Sequence, residues 1–108
     1  MKNMKCIIGI VERGKADMIV KAAKKAGASG ATIFFARGTG ETEAKRFFNI
    51  NVESAKEVII ILADTNEKDK IVEAMTDVGK INDAGTGIIF TLNIEDLIGL
   101  SHRENIKK

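Results

Sequence analysis

Two glycine–threonine–glycine steps are the parts of this 108-residue chain best suited to hold a ligand. One is Gly38-Thr39-Gly40, directly after Arg37, and the other is Gly85-Thr86-Gly87, shortly after Gly79-Lys80-Ile81. Glycines on either side of a small residue let backbone N–H groups come close to an anion. Arg37 and Lys80 would add positive charge. Neither segment has the spacing of a P-loop or of GxGxxG between a strand and a helix, so neither chemistry follows. A flexible strand exit explains the first segment as well as an anion cradle does. Catalytic groups are scarce. Cys6 lies in or beside an apolar run and reads as a buried apolar residue, and His102 stands alone in a polar tail. One Cys and one His far apart make no metal site, and no nucleophile has an evident base. The expectation is a non-enzymatic protein.

Four apolar runs must position these segments: Met4 to Val11, Ala31 to Ala36, Val58 to Ala63 and Ile88 to Ile94. Their β-branched and aromatic content predicts strands. Between the first two runs, Met18, Ile19, Ala22, Ala23 and Ala26 share a helical face, with Gly27 at the position of a left-handed cap. Between the last two, Ile71, Val72, Met75 and Val78 repeat that spacing. Asp64, Thr65 or Asn66 can start that helix and Gly79 can end it. Two β-α-β halves in about 100 residues predict an α+β, ferredoxin-like βαββαβ fold. It has a four-stranded antiparallel sheet, two helices on one face and a long loop between strands 2 and 3. A small doubly wound parallel sheet is the alternative, disfavoured by having only two helices.

The strands do not alternate apolar with polar. Ile7-Ile8-Gly9-Ile10-Val11, Val58-Ile59-Ile60-Ile61-Leu62 and Ile88-Ile89-Phe90-Thr91-Leu92 are apolar at both parities. Successive side chains point to opposite faces, so the face without helices is apolar as well. Roughly six to eight side chains there, at about 1.5–3 kcal/mol each, forgo on the order of 10 kcal/mol if left wet. Self-association is the expected cover, and folding back of the middle segment is the alternative.

Composition narrows the remaining classes. Lys and Arg total 17 against 15 for Asp and Glu, a net charge of +2, which disfavours a dedicated nucleic-acid binder. RNA binding through the sheet would need aromatic residues on the central strands, and the first and third runs have none. Phe34, Phe35 and Phe90 read as core. A single cysteine suits a reducing, cytoplasmic setting, and no run of about 18 apolar residues suggests a membrane span. The connection from Arg37 to Glu57 is too long for a simple turn. Within it Phe48, Ile50 and Val52 alternate like a short strand, and Lys45, Arg46, Phe47 and Phe48 form a basic and aromatic knot.

In these features the chain resembles the PII signal-transduction (nitrogen regulatory protein P-II) family. The likeness rests on the repeated β-α-β order, on Arg37-Gly38-Thr39-Gly40 opening the long loop, and on Gly79-Lys80-Ile81 ahead of Gly85-Thr86-Gly87. The stretch from Ile89 to Ile98 also reads like the family's last strand and its continuation. It implies a PII-like domain over residues 1–100, a polar tail over 101–108 and a homotrimer whose sheets face the threefold axis. It also implies ATP, ADP or another adenine nucleotide between subunits, 2-oxoglutarate with Mg-ATP, and a protein target (a transporter or enzyme) gripped by the T-loop at residues 38–57, in nitrogen regulation.

The resemblance matches Gly38, Gly40, Gly85 and Gly87 to the family's loops, and the cleft expected here is Arg37, Gly38, Thr39, Gly40, Lys80, Gly85, Thr86 and Gly87, through backbone donors with Arg37 and Lys80 supplying charge. It also exposes departures: Glu41 and Ile88 where the family has basic residues, Thr86 where it has Asp, and Gly99 and Ser101 where it has arginines. The chain has no Gln for the effector complex and no Tyr to modify, and Asn82-Asp83-Ala84 reads as an insertion. Arg37, Lys80 or Arg103 would have to supply the missing charge. A trimeric interaction module without nucleotide, and a metal-binding trimer of related fold, are the other readings. The second is disfavoured by the shortage of ligands.

Overall fold

In a computed structural model, residues 3–39 and 53–99 are described. The elements are β1 (Met4–Glu12), α1 (Ala16–Lys25), β2 (Thr32–Thr39), β3 (Glu53–Asp64), α2 (Thr65–Gly79) and β4 (Gly87–Asn93). The strands form one sheet in the order β2-β3-β1-β4, with every neighbouring pair antiparallel. This is the expected βαββαβ, ferredoxin-like arrangement.

Register explains the two-faced strands. Ile7 faces Ile61, Gly9 faces Ile59 and Val11 faces Glu57, all on the helix side. Beneath the helices Ile7, Val11, Ile59 and Ile61 are sealed with Ile19, Ala23, Ile71 and Met75. On the other side, Cys6, Ile8 and Ile10 of β1 lie between Leu62, Ile60 and Val58 of β3 and Leu92, Phe90 and Ile88 of β4. Phe34 of β2 extends this grid beside Val58. The open face is thus apolar, and Ile88 and Leu92 keep 55% and 49% of their surface exposed. Phe34 and Phe90 belong to this face and Phe35 is exposed on the helix side, so none of the three is core. They sit on edge strands, Phe34 and Phe90 on the face without helices and Phe35 beyond Ile33, the β2 residue that packs against the core.

Other expectations need adjustment. α1 buries Ala16, Ile19, Val20 and Ala23, while Met18 is exposed, because the stripe against the sheet is centred on Ile19. Gly27 does take a left-handed φ of 126°, with the Ala28 N–H returning to the Ala23 carbonyl. In α2, Ile71 and Met75 are buried and Val78 is exposed. The helix ends at Gly79, but the left-handed cap is Lys80, at φ 54°. Gly79 serves a different purpose, since a Cβ there would stand 2.9 Å from Ile19 Cδ1. Asp64 occupies the N-cap position without a capping hydrogen bond from its side chain. β2 continues through Thr39 and β3 starts at Glu53, so the strands claim both ends of the expected loop. Ladder hydrogen bonds are backbone bonds, and Arg37–Ala55 and Gly38–Ser54 pair without any apolar signal. The expected short strand at 48–52, the knot at 45–48, and Gly40, Glu41, His102 and Arg103 lie outside the described residues.

One buried charge fastens the turn between β1 and α1. Glu57 Oε1 accepts the backbone N–H groups of Gly14 at 2.8 Å and Ala16 at 3.0 Å. Those donors would otherwise be orphaned at the start of the helix, where the macrodipole also favours an anion. Glu57→Ala leaves them unpaired and should cost about 1–3 kcal/mol by urea denaturation. Glu57→Gln keeps an acceptor oxygen and should recover most of that loss.

Candidate functional site

Lining the strands up by register shows where the glycine-rich segments stand. One row across the sheet runs Phe35 (β2), Glu57 (β3), Val11 (β1), Gly87 (β4). Two residues further out, Arg37 pairs with Ala55, whose carbonyl accepts the Arg13 N–H at 3.2 Å. Arg37, Gly38 and Thr39 are therefore at the same end of the sheet as Gly85, Thr86 and Gly87, but on opposite edges. Three interstrand spacings, about 14 Å, separate them, and the β1–α1 turn lies between. A single protomer brings Lys80 together with Gly85–Gly87 and does not bring Arg37–Thr39 to them.

The loop from Lys80 to Gly87 is closed on itself. The Ile81 N–H bonds the Thr76 carbonyl at 3.0 Å, and the Asp83 N–H bonds the Lys80 carbonyl at 2.9 Å. The Thr86 hydroxyl stands 2.7 Å from the Lys80 carbonyl and 2.9 Å from the Asp83 carbonyl, and donates its proton there. The hydroxyl thus shapes the loop. The Asn82-Asp83-Ala84 stretch is the part this closure spans. Gly85 and Gly87 carry φ of 79° and 150°. At Gly87 a Cβ would fall 2.6 Å from the Ile10 carbonyl oxygen, so no side chain fits without moving β1.

At the β2 edge Gly38 lies in the ladder opposite Ser54, and the side chain of Lys56 passes across it. A Cβ on Gly38 would be 3.4 Å from both Lys56 Cγ and Cε. The lysine stem therefore lies alongside Gly38, at ordinary contact distance, near the end of β2. Lys56, Glu57 and Arg13 carry this end of the molecule, and sequence reasoning passed over all three. Glu57 shares parity with Ile59 and Ile61, which marks a buried acid once the strand is known to start at Glu53. Lys56 and Arg13 needed the register itself.

Cys6 is half-buried on the open face between Leu62 and Leu92. Burial pushes its thiol up from the ordinary value, away from the reactive thiolate. No group of three metal-ligating side chains occurs among the described residues. No helix among them is long and apolar enough to cross a membrane.

A family model described as "Nitrogen regulatory protein P-II" matches residues 4–104. A curated relative, "Nitrogen regulatory protein P-II 1" of Methanothermobacter thermautotrophicus, is 26% identical, covering 97% of this chain and 96% of its own. Among solved structures, the fold is similar to the Bacillus subtilis GlnK–ATP complex (TM-score 0.73, 20% identity, 94% of this chain and 91% of that one). It is also similar to Arabidopsis thaliana PII bound to citrate (TM-score 0.71, 21% identity, 93% and 85%).

Gly87→Ala forces a side chain against the Ile10 carbonyl at a left-handed φ. It should lower stability by at least about 1–3 kcal/mol in denaturant titration. Thr86→Val removes only the closing hydroxyl and should cost about 1 kcal/mol.

Proposed function

The chain belongs to the nitrogen regulatory protein P-II family, and from that premise we propose that it is a homotrimeric regulator holding an adenine nucleotide in clefts between subunits. The observation that carries this reading is the placement of two glycine-rich segments on opposite edges of one sheet end, above an apolar open face. Covering that face with two further copies around an axis makes a cyclic, head-to-tail contact. In such a contact the β2 edge of one copy meets the β4 edge of the next. Arg37, Gly38 and Thr39 then stand near Gly85, Thr86, Gly87 and Lys80 of the adjacent subunit, and Gly40 follows in sequence. Backbone N–H groups would cradle phosphate, with Arg37, Lys80 and Lys56 supplying charge. The fold likeness to a GlnK–ATP complex supports the choice of ligand.

The output follows from the same placement. β2 and β3 run directly into residues 40–52, so a ligand at Gly38–Gly40 and Lys56 bears on both feet of that connection. Occupancy biases its arrangement and thereby the grip of residues 38–57 on a protein target, an enzyme or transporter of nitrogen metabolism in the cytoplasm. The protein acts by binding rather than by catalysis.

Calorimetry with ATP, ADP, AMP and cyclic nucleotides, with and without 2-oxoglutarate, tests the ligand. At least one adenine nucleotide should bind with a Kd below millimolar, once per protomer, and silence throughout would leave the interaction-module reading standing. Sedimentation should report three copies. Phe90→Asp, on the β4 side of the open face, should give single copies that bind no nucleotide. Deleting Glu41–Arg46 should abolish target capture while nucleotide affinity stays within about twofold, roughly 0.4 kcal/mol.

A further inference from the structure

The turn between β1 and α1 carries a cation that neither glycine-rich segment accounts for. Arg13 projects from the middle of the sheet end, and its guanidinium carbon stands 4.4 Å from the centroid of the Phe35 ring on β2. That side chain crosses β3 to reach an edge strand. The turn beneath it is pinned on both sides: the Arg13 N–H bonds the Ala55 carbonyl, and Glu57 takes the N–H groups of Gly14 and Ala16. Lys15 is held in turn by Glu12 at 3.5 Å. Phe35 is 67% exposed and adds little to the core, so its ring acts as a seat for the guanidinium.

A guanidinium lying on an aromatic face engages it through the flat of its own plane and the ring quadrupole. The N–H groups around its rim stay available, and their fork matches two oxygens of a phosphate. No carboxylate pairs with Arg13 among the described residues. Glu12 is engaged with Lys15 and Glu57 with backbone. Arg37 lies two residues beyond Phe35 on the same face of β2, next to Gly38 and Thr39. The Arg13 charge is therefore fixed beside the β2 half of the cleft.

We propose that Arg13, seated on Phe35 and carried by the turn that Glu57 fastens, is a phosphate-recognising residue of the intersubunit cleft. The proposal rests on the nucleotide reading above and deepens it. The β1–α1 turn becomes a third wall of the site, and its cation adds to the charge of Arg37 and Lys80. The recognised chemistry is the terminal part of a polyphosphate chain, and Arg13 has no part in reading the base.

The test is the affinity ratio of ATP to AMP in the trimer, measured for the unaltered chain, Arg13→Ala, Arg13→Lys and Phe35→Leu. Arg13→Ala should weaken ATP by about 10- to 100-fold, the range for losing a charge-assisted hydrogen bond, and change AMP by less than threefold. Arg13→Lys should recover part of the loss, since an ammonium keeps the charge without the fork. Phe35→Leu should fall between Arg13→Ala and the unaltered chain, because the cation remains but loses its seat. Thermal midpoints should hardly move, as both side chains are exposed. An unaltered chain that binds ATP, with Arg13→Ala keeping the same ATP-to-AMP ratio, overturns this assignment alone. An unaltered chain that binds neither nucleotide overturns the assignment and the nucleotide reading together.

Discussion

The pairing of β1 with both β3 and β4 is the constraint on which the rest of the structure depends. Once Ile7 is set opposite Ile61 and Thr91, every odd residue of β1 faces the helices and every even residue faces away. A shift by one residue would exchange the two sets. Here both sets are apolar, so the helices satisfy only half of the sheet. Ile8, Ile10, Ile60, Phe90 and their neighbours remain as a second apolar layer with no helix to cover it. The proposed homotrimer would cover this layer through the hydrophobic effect, and the position of a shared cleft would follow from it.

The end of the sheet that carries the glycine-rich segments is built by backbone accounting. The β1–α1 turn must satisfy the N–H groups of Gly14 and Ala16, and a buried carboxylate from β3 does so. The loop before β4 must return close to β1 at Gly87, where the Ile10 carbonyl leaves space for hydrogen only. Thr86 then ties that loop back to the carbonyls of Lys80 and Asp83. These are local solutions to unpaired polar groups. Together they leave backbone presented at the β4 edge, Arg37 at the β2 edge, and Arg13 and Lys56 from the turn and strand beside it.

Much of the fold was legible because it depends on periods. Runs such as Val58–Leu62 declare strands, and the spacing of Ile71 and Met75 declares a helix. The apolar character of both parities declares an uncovered face. The strand ends were not legible. Ser54, Ala55 and Lys56 have no apolar pattern, yet they pair with β2 through backbone groups that every residue has. Glycine was legible as punctuation but not as to purpose. Gly79 makes room for Ile19, and the left-handed position beside it falls to Lys80. The aromatic residues were misplaced for a related reason, since an apolar run of both parities does not show which of its residues face the helices.

By itself, the sequence determined the element order, the topology class and the existence of a second greasy face, because hydrophobic periodicity is written in consecutive residues. It also marked the two segments whose backbone can approach an anion. Only the tertiary structure decided that these segments sit at one end of the sheet on opposite edges, since strand order depends on crossovers and not on chain order. The seating of Arg13 on Phe35 and the burial of Glu57 under the first turn of α1 likewise belong to tertiary structure alone. Both join residues distant in sequence through register, and no local pattern encodes a register between strands.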